Sequence, residues 1–319
     1  VLLIITNQQD LASDYLILRL KERGVVFRRL NTEQVGFSVS IELKLSNGDN
    51  NFKIEFEDGT VITRESISAV YFRQPQPPDY STLVVKHEVA FANTEVLELL
   101  RSLWRMIPEH LWLNHPKKLW AASNKVEQLI TAVRHGLKVP QTLISANAIS
   151  ITEFFSKNNN HVVGKAIRHG FVTRENDLYL AGTQRMPYDF STVFNDFAPV
   201  PMTYQEEIHR KCDLRVVVVD NHVFSTSITF DNSLEQVDWR ISELLGRPLI
   251  HSRSNLPKGI ELSCTSLVRA FGLRYSSIDL IQDTSDNVFF LELNPNGQWG
   301  WIEQLTGHPI RDAIINALT

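Results

Sequence analysis

The stretch that decides the fold lies near the C-terminal end of the chain. It reads Ile278-Asp279-Leu280-Ile281, then Thr284-Ser285-Asp286-Asn287, then Phe289-Phe290-Leu291-Glu292-Leu293-Asn294-Pro295-Asn296-Gly297. Two short apolar runs, each broken by one carboxylate, flank a cluster of turn residues, and that pattern predicts an antiparallel hairpin. Strand side chains alternate, so Glu292 and Asn294 point to one face, with Leu291 and Leu293 on the other. Burying the two carboxylates without compensation costs on the order of 3 kcal/mol or more per ion. Something positive must therefore meet them: an arginine, bulk solvent on an open face, or a divalent cation that favours hard oxygen donors.

Working back along the chain, cations occur where such a partner is needed. Lys165 sits in Val162-Val163-Gly164-Lys165-Ala166-Ile167, an otherwise buried-looking strand, and Lys125 follows Asn124 at a helix start. A point charge at a helix N-terminus is disfavoured by the dipole unless an anion also binds there, and phosphate is the usual one. Tyr204-Gln205-Glu206-Glu207-Ile208 is an acidic strand end, able to meet an adenine amino group with a carboxylate or carbonyl and a ring nitrogen with an N–H. Which of Glu206 and Glu207 faces a nucleotide is left open by alternation. Asp213 and Arg215 share a face of the next strand, where the arginine either grips a phosphate bidentately or simply pairs with the aspartate. Arg240 is a further cation in the turn-rich Val237-Asp238-Trp239-Arg240.

The remainder of the pattern sorts into an α/β beginning and a larger α+β part. Leu2 to Thr6, Leu11 to Arg23 and Val25 to Leu30 form a β-α-β opening, and Phe37 to Leu45 pairs with Phe52 to Phe56 across Asn47-Gly48. A strand at Ala69 to Arg73 runs into Gln74-Pro75-Gln76-Pro77-Pro78. An amphipathic helix follows from about Lys86 to Ile107, whose apolar side packs on the core or meets a second copy of the chain. After a boundary near Pro108 to Leu119, a helix from Asn124 to His135 precedes short strands at Thr142 to Ser145, His161 to Ile167, Met202 to Ile208, Leu214 to Val219, Val223 to Thr229, Arg274 to Ile281 and Val288 to Leu293. Helices are expected at Ile151 to Ser156, Leu256 to Phe271 and Ile310 to the end. The expected units are 1–113, 114–200 and 201–319.

Composition removes several classes of function. With 319 residues and 43% apolar content, the chain is long enough for a sizeable core in two or three lobes. Its 32 Lys plus Arg against 36 Asp plus Glu give a net charge of -4, so nucleic acid is not an implied partner. No apolar run has membrane-spanning length, and Cys212 and Cys264 stand far apart in no ligand spacing; a cytoplasmic protein is expected. Neither G-x-x-x-x-G-K-[ST] nor G-x-G-x-x-G occurs, which disfavours P-loop and Rossmann chemistry. Motifs of the common hydrolases, zinc proteases and thiol oxidoreductases are missing too.

In order and spacing these segments resemble the ATP-grasp superfamily over roughly Asn114 to Thr319, preceded by an N-terminal α/β pre-ATP-grasp domain. Within it the chain is similar to the microviridin-type graspetide ligases, on Phe27-Arg28-Arg29-Leu30-Asn31-Thr32-Glu33, Tyr71-Phe72-Arg73-Gln74-Pro75, Asp238-Trp239-Arg240 and Asn296-Gly297-Gln298-Trp299-Gly300-Trp301. The resemblance implies an ADP-forming ligase that uses ATP and Mg²⁺ to activate a carboxylate as an acyl phosphate. Its substrate would be a ribosomal precursor peptide with a leader segment, crosslinked through side-chain esters or amides. It also implies that Lys125 and Lys165 contact ATP phosphates, that Glu206, Glu207 and Ile208 line the adenine, and that Asp213 lies near the ribose. Arg215 and Arg240 would serve the transferred phosphoryl group, and Asp279, Glu292 and Asn294 would hold Mg²⁺. The chain departs from the pattern after Lys165, where Arg168-His169-Gly170-Phe171 carries a single glycine. Two rival readings are a ligase adding free amino acids such as glutamate to a terminus, and a nucleotide-binding regulator without turnover.

Overall fold

The apolar run at the N-terminus forms β1 (Leu2–Thr6), buried along its whole length. Helix α1 (Leu11–Glu22) carries the chain to β2 (Phe27–Asn31), which pairs parallel to β1 with Leu2 opposite Phe27. A separate antiparallel meander follows, made of β3 (Val39–Leu45), β4 (Asn50–Phe56) and β5 (Val61–Thr63). The chain then returns to place β6 (Ala69–Phe72) on the other side of β1, again parallel. Parallel strands covered on both faces need continuous apolar runs, and β1 and β6 supply them. The computed structural model describes residues 1–48, 50–82, 84–168, 171–174, 177–180, 182–186, 200–230, 239, 246 and 248–319.

Helix α2 (Val89–Met106) buries Leu100, Leu103 and Trp104, and Phe72 packs edge-on against Trp104 at 4.9 Å. Trp112 then bridges onto Val70, so the chain stays tied to the first sheet up to that point. Two short helices come next, α3 (Pro116–Ala122) and α4 (Lys125–Arg134). Asn124 caps α4 by accepting from the N–H groups of Val126 and Glu127.

Two sheets form the rest. A four-stranded sheet has the order β11-β8-β12-β7, from β7 (Thr142–Ser145), β8 (Val162–Lys165), β11 (Gln184–Arg185) and β12 (Met202–Glu206). Helix α5 (Ala148–Lys157) packs on it, and a hairpin of β9 (Phe171–Arg174) and β10 (Asp177–Leu180) stands beside it in sequence. A five-stranded antiparallel sheet has the order β15-β14-β13-β16-β17. Its members are β13 (Arg210–Val219), β14 (His222–Phe230), β15 (Leu249–Ser254), β16 (Tyr275–Asp283) and β17 (Val288–Asn294). Helices α6 (Lys258–Ala270), α7 (Gly300–Thr306) and α8 (Ile310–Leu318) complete the described chain.

The first and the five-stranded sheets share their cores. One cluster joins Ile5, Leu30 and Val70 to Val216, Ile278 and Phe290; the other joins Leu2, Ile4 and Leu16 to Val217, Trp299, Ile302 and Ile314. Helix α4 is bolted to the edge strand β17 by Gln128, whose Nε2 donates to Leu293 O at 2.8 Å while Oε1 accepts from Leu293 N at 3.0 Å. Cys212 and Cys264 are both buried, and burial pushes the Cys264 thiol up to about 12, so it behaves as an inert core group.

The mixed α/β and α+β class matches the sequence reading, but helices α3 and α7 and strands β5, β9, β10, β11 and β15 are additions to the elements it predicts. Helix α3 carries the signal that was passed over, Pro116 at its first position after His115, whose ring accepts from Lys117 N. Helix α7 is seven residues long and ends on Gly307 in the left-handed region (φ 69°), a stop that follows too short a periodic run to read. Among the described residues no helix is long and apolar enough to cross a membrane.

Candidate active site

The hairpin forms as expected, but its register is not regular. Asp279 lies opposite Glu292 and Ser277 opposite Asn294, whereas Leu280 lies opposite Phe290, so Leu291 is an extra residue in β17. Such a bulge re-aims side chains. Leu291, expected on the face of Leu293, instead lines the same cleft as Asp279, while Leu293 is buried in the core. Carrying the register across β13 places Arg215 opposite Asp279. One face of three adjacent strands thus presents Arg215, Asp279 and Glu292 in a row, with Asn294 one step along β17.

Each of these groups is held by its neighbours. Arg215 Nη1 donates to Asp279 Oδ1 at 2.6 Å, with both residues buried at 7% and 4% exposure. Asn294 Nδ2 reaches Asp279 Oδ2 at 3.2 Å and Glu292 Oε1 at 3.3 Å. Lys125, at the first turn of α4, ion-pairs with Glu292 at 3.1 Å. The anion that offsets a cation at that helix start is here a carboxylate of the neighbouring strand.

The row opens into a cleft of about 610 Å³ of empty space, its open mouth included, between the five-stranded and four-stranded sheets. Lys165 at the end of β8, the hinge segment Glu206-Glu207-Ile208, Asp213 and Asp279 all line it. Glu206 Oε2 accepts from Gln141 N at 3.2 Å, and the Glu207 carboxylate pairs with Arg185 at 2.7 Å. The N–H groups of Glu206 and Glu207 donate to Gln141 O and His161 O. Of the residues singled out from the sequence, Lys165, Glu206, Glu207, Ile208, Asp213 and Asp279 line the cleft, and Arg215, Asn294, Glu292 and Lys125 join it through a chain of contacts that starts at Asp279. Arg240 lies outside the described residues, as do His169, Gly170 and residues 187–199 of the segment after Lys165.

Three contributors were not read from the sequence. Arg210 donates to Asp213 Oδ2 at 3.0 Å and lines the cleft, although three residues of regular strand would put the two on opposite faces. A register shift between Arg210 and Cys212 brings them together, and no residue type announces a bulge. Gln205, 2% exposed, donates to Thr142 Oγ1 at 2.9 Å and lines the cleft. Trp239 lines it too.

The donors suit a divalent cation shared with a bound polyphosphate. Among the described residues no three His, Cys, Asp or Glu side chains cluster to make a self-sufficient metal site. Two carboxylates and one amide oxygen instead match Mg²⁺, which keeps part of its shell for phosphate oxygens and water. Asn294 offers Oδ1 when its amide is reversed, an orientation that hydrogen bonding sets.

Known proteins with this architecture share that cleft-bearing fold. The Chryseobacterium gregarium RiPP-associated ATP-grasp ligase in complex with ADP and a leader and core peptide superposes with a TM-score of 0.90 at 24% identity, covering 99% of this chain and 96% of that one. The chain has the ATP-grasp fold. Macrocyclase MdnC of Microcystis aeruginosa, bound with precursor peptide MdnA, matches with a TM-score of 0.80 at 24% identity over 99% and 98% of the two chains. Macrocyclase MdnB of the same organism gives 0.78 at 23% identity over 100% and 98%. Residues 1–119 match the family described as the MvdD pre-ATP-grasp domain. No curated protein matches the sequence. The two sheets face each other across the cleft, and each contributes cations and carboxylates to its lining.

Proposed function

We propose that this protein is an ADP-forming ligase that phosphorylates a carboxylate with ATP and Mg²⁺ and joins it to a hydroxyl or amine, with a ribosomal precursor peptide as substrate. The observation that carries the reading is the continuous row Lys125, Glu292, Asn294, Asp279 and Arg215, which meets through Asp279 a cleft that Lys165 and the hinge also line. The peptides bound in the similar structures, a leader and core peptide in one and precursor peptides in others, support the substrate class.

Roles follow from position. Adenine lies against Glu206, Glu207 and Ile208; the N–H groups of the two glutamates are already engaged, so a ring nitrogen meets the hinge at Ile208. Asp213, steadied by Arg210, lies near the ribose. Lys165 from β8 and Lys125 from the first turn of α4 bracket the phosphates. Asp279, Glu292 and the Asn294 carbonyl would hold Mg²⁺, which would supply charge neutralisation for the phosphates during phosphoryl transfer. Arg215 stabilises charge on the transferred group and on the acyl phosphate, a role that the sequence resemblance extends to Arg240. Catalysis here is positioning and electrostatics, with no protein nucleophile.

The chain divides, in this reading, into a pre-ATP-grasp domain of residues 1–113, a central subdomain of 114–200 and a C-terminal subdomain of 201–319. The bridge of Trp112 to Val70 and the bond from Leu113 N to Val70 O support the first boundary. A cytoplasmic location accords with free, buried cysteines.

The test is to incubate the protein with ATP, Mg²⁺ and synthetic candidate precursors rich in Thr, Ser, Lys, Asp and Glu, reading ADP and peptide mass. Loss of one water per bond with matching ADP supports the reading. Gain of a whole amino-acid residue indicates terminal addition instead, and nucleotide binding with no peptide-stimulated ADP indicates a regulator.

A further inference from the structure

Arg73 lies in the N-terminal part of the chain, just beyond the end of β6, and is 1% exposed. Its nearest carboxylate is Asp10, 3.9 Å from Nε. The guanidinium is directed at the loop that follows β17. Nη1 donates to Asn296 O at 3.1 Å, Asn296 Oδ1 at 3.2 Å and Gly297 O at 2.9 Å, and Nη2 donates to Gln298 Oε1 at 2.9 Å. The Asn296 amide returns a bond to Arg73 O. An apolar side chain would fasten a loop to a core at lower desolvation cost; a buried cation with donors to three consecutive residues specifies where that loop sits.

The loop in turn forms a wall against Arg215. A Cβ on Gly297 would stand 2.6 Å from Ser277 Oγ and 2.9 Å from Arg215 Nη2, so the backbone approaches the guanidinium as closely as it can. Gln298 O accepts from Arg215 Nη2 at 3.4 Å. Tyr275 OH donates to the same Gly297 O at 2.5 Å. Arg215 is therefore seated between Asp279 and a loop whose position Arg73 and Tyr275 define.

We propose that Arg73 is the positioning residue through which the N-terminal domain sets the Arg215 guanidinium for phosphoryl transfer. This rests on the ligase reading above. A displacement of even about 1 Å at a catalytic group is enough to cost a large factor in rate while ground-state binding persists. The lysine variant keeps the charge and some donors but loses the planar pair of nitrogens.

The experiment compares the full-length wild type with Arg73→Lys, Arg73→Gln, Gly297→Ala and the Arg73→Lys/Gly297→Ala double variant. The probes are Mg²⁺-ADP in titration calorimetry and, for turnover, the synthetic precursor peptide that stimulates ADP release from the wild type. Arg73→Lys is expected to bind Mg²⁺-ADP within about twofold of wild type and to keep KM for ATP, while kcat falls about tenfold or more. Arg73→Gln falls further, and the double variant falls no further than its worse single parent, because both act through Arg215. Unchanged kcat per folded molecule, or equal loss of nucleotide affinity and rate, or additive losses in the double variant, would overturn the proposal and leave the ligase reading intact. A wild type that binds Mg²⁺-ADP but releases no ADP with any candidate peptide overturns both.

Discussion

The two walls of the cleft are built differently. The five-stranded sheet has central strands buried on both faces: β13 is buried from Cys212 to Val219 and β16 from Tyr275 to Ile281. Its charged groups are cross-braced, with Arg215 held by Asp279 and Glu292 by Lys125. The four-stranded sheet rests on a small cluster of Ile151, Phe155, Val162 and Tyr204, and its ion pair of Arg185 with Glu207 leaves the arginine half exposed. In the proposed reading the metal and phosphoryl chemistry falls to the more deeply buried wall, while the lighter wall supplies Lys165 and the hinge. Local stability scales with buried apolar contacts, so the lighter wall is the one that opens at lower free energy.

The sharpest way to break this division is to remove charge from the more deeply buried wall. Glu292→Gln should reduce ATP-dependent ligation by about a thousandfold or more while circular dichroism and the melting transition stay native-like, and Asp279→Asn should cut ligation as deeply while also lowering the melting temperature, because it strands the buried Arg215 guanidinium. Arg215→Ala should cost both activity and about 3–5 kcal/mol of stability in denaturant titration, because it strands the buried Asp279 carboxylate. Equal stability of that variant and wild type would show that the pair is solvated and the wall not braced. Gly297→Ala should cost about 1–3 kcal/mol by overpacking against Ser277 and Arg215. On the other wall, amides of β8 and β12 should exchange with deuterium about tenfold or more faster than those at the centres of β13 and β16; matched rates would erase the contrast.

The smallest effect concerns pH. Burial chiefly lowers the pKa of His115 and of His308, so both resist protonation in the folded chain. The unfolded chain then binds more protons, so their contribution is complete above the ordinary histidine range near about 6.5 and is lost as pH falls through it toward the depressed folded values. Replacing both with Gln should flatten the decline of the melting temperature below neutrality, on top of a pH-independent loss from the His115 cap of α3.

Much of the more deeply buried wall was legible in the sequence. Alternation placed Glu292 with Asn294 and Asp213 with Arg215, and the opening β-α-β unit and the helix capped by Asn124 carried ordinary signals. What was hidden has a common cause in irregular register. The extra residue Leu291 and the shift between Arg210 and Cys212 each turn one side chain onto a face that strict alternation denies it. Edge strand β15 was hidden because it is half exposed and its Leu249-Ile250-His251-Ser252-Arg253-Ser254 has no alternating apolar face. Long-range partners were hidden also: nothing near Arg73 in sequence indicates a loop more than two hundred residues later. Where the chain obeys a period, the residues announce their face; where it breaks one, only the fold reveals it.

The central claim is that Asp279, Glu292 and Asn294 hold a divalent cation with a nucleoside triphosphate beside Lys165. Crystals of the full-length protein grown with Mn²⁺ and a non-hydrolysable ATP analogue test it directly by anomalous scattering. The account predicts a manganese peak bounded by oxygens of those three side chains, with adenine at the hinge and Glu292 drawn from Lys125 onto the metal. Nucleotide bound elsewhere, or manganese absent from that position while the Arg215–Asp279 and Lys125–Glu292 pairs stay closed, would contradict it.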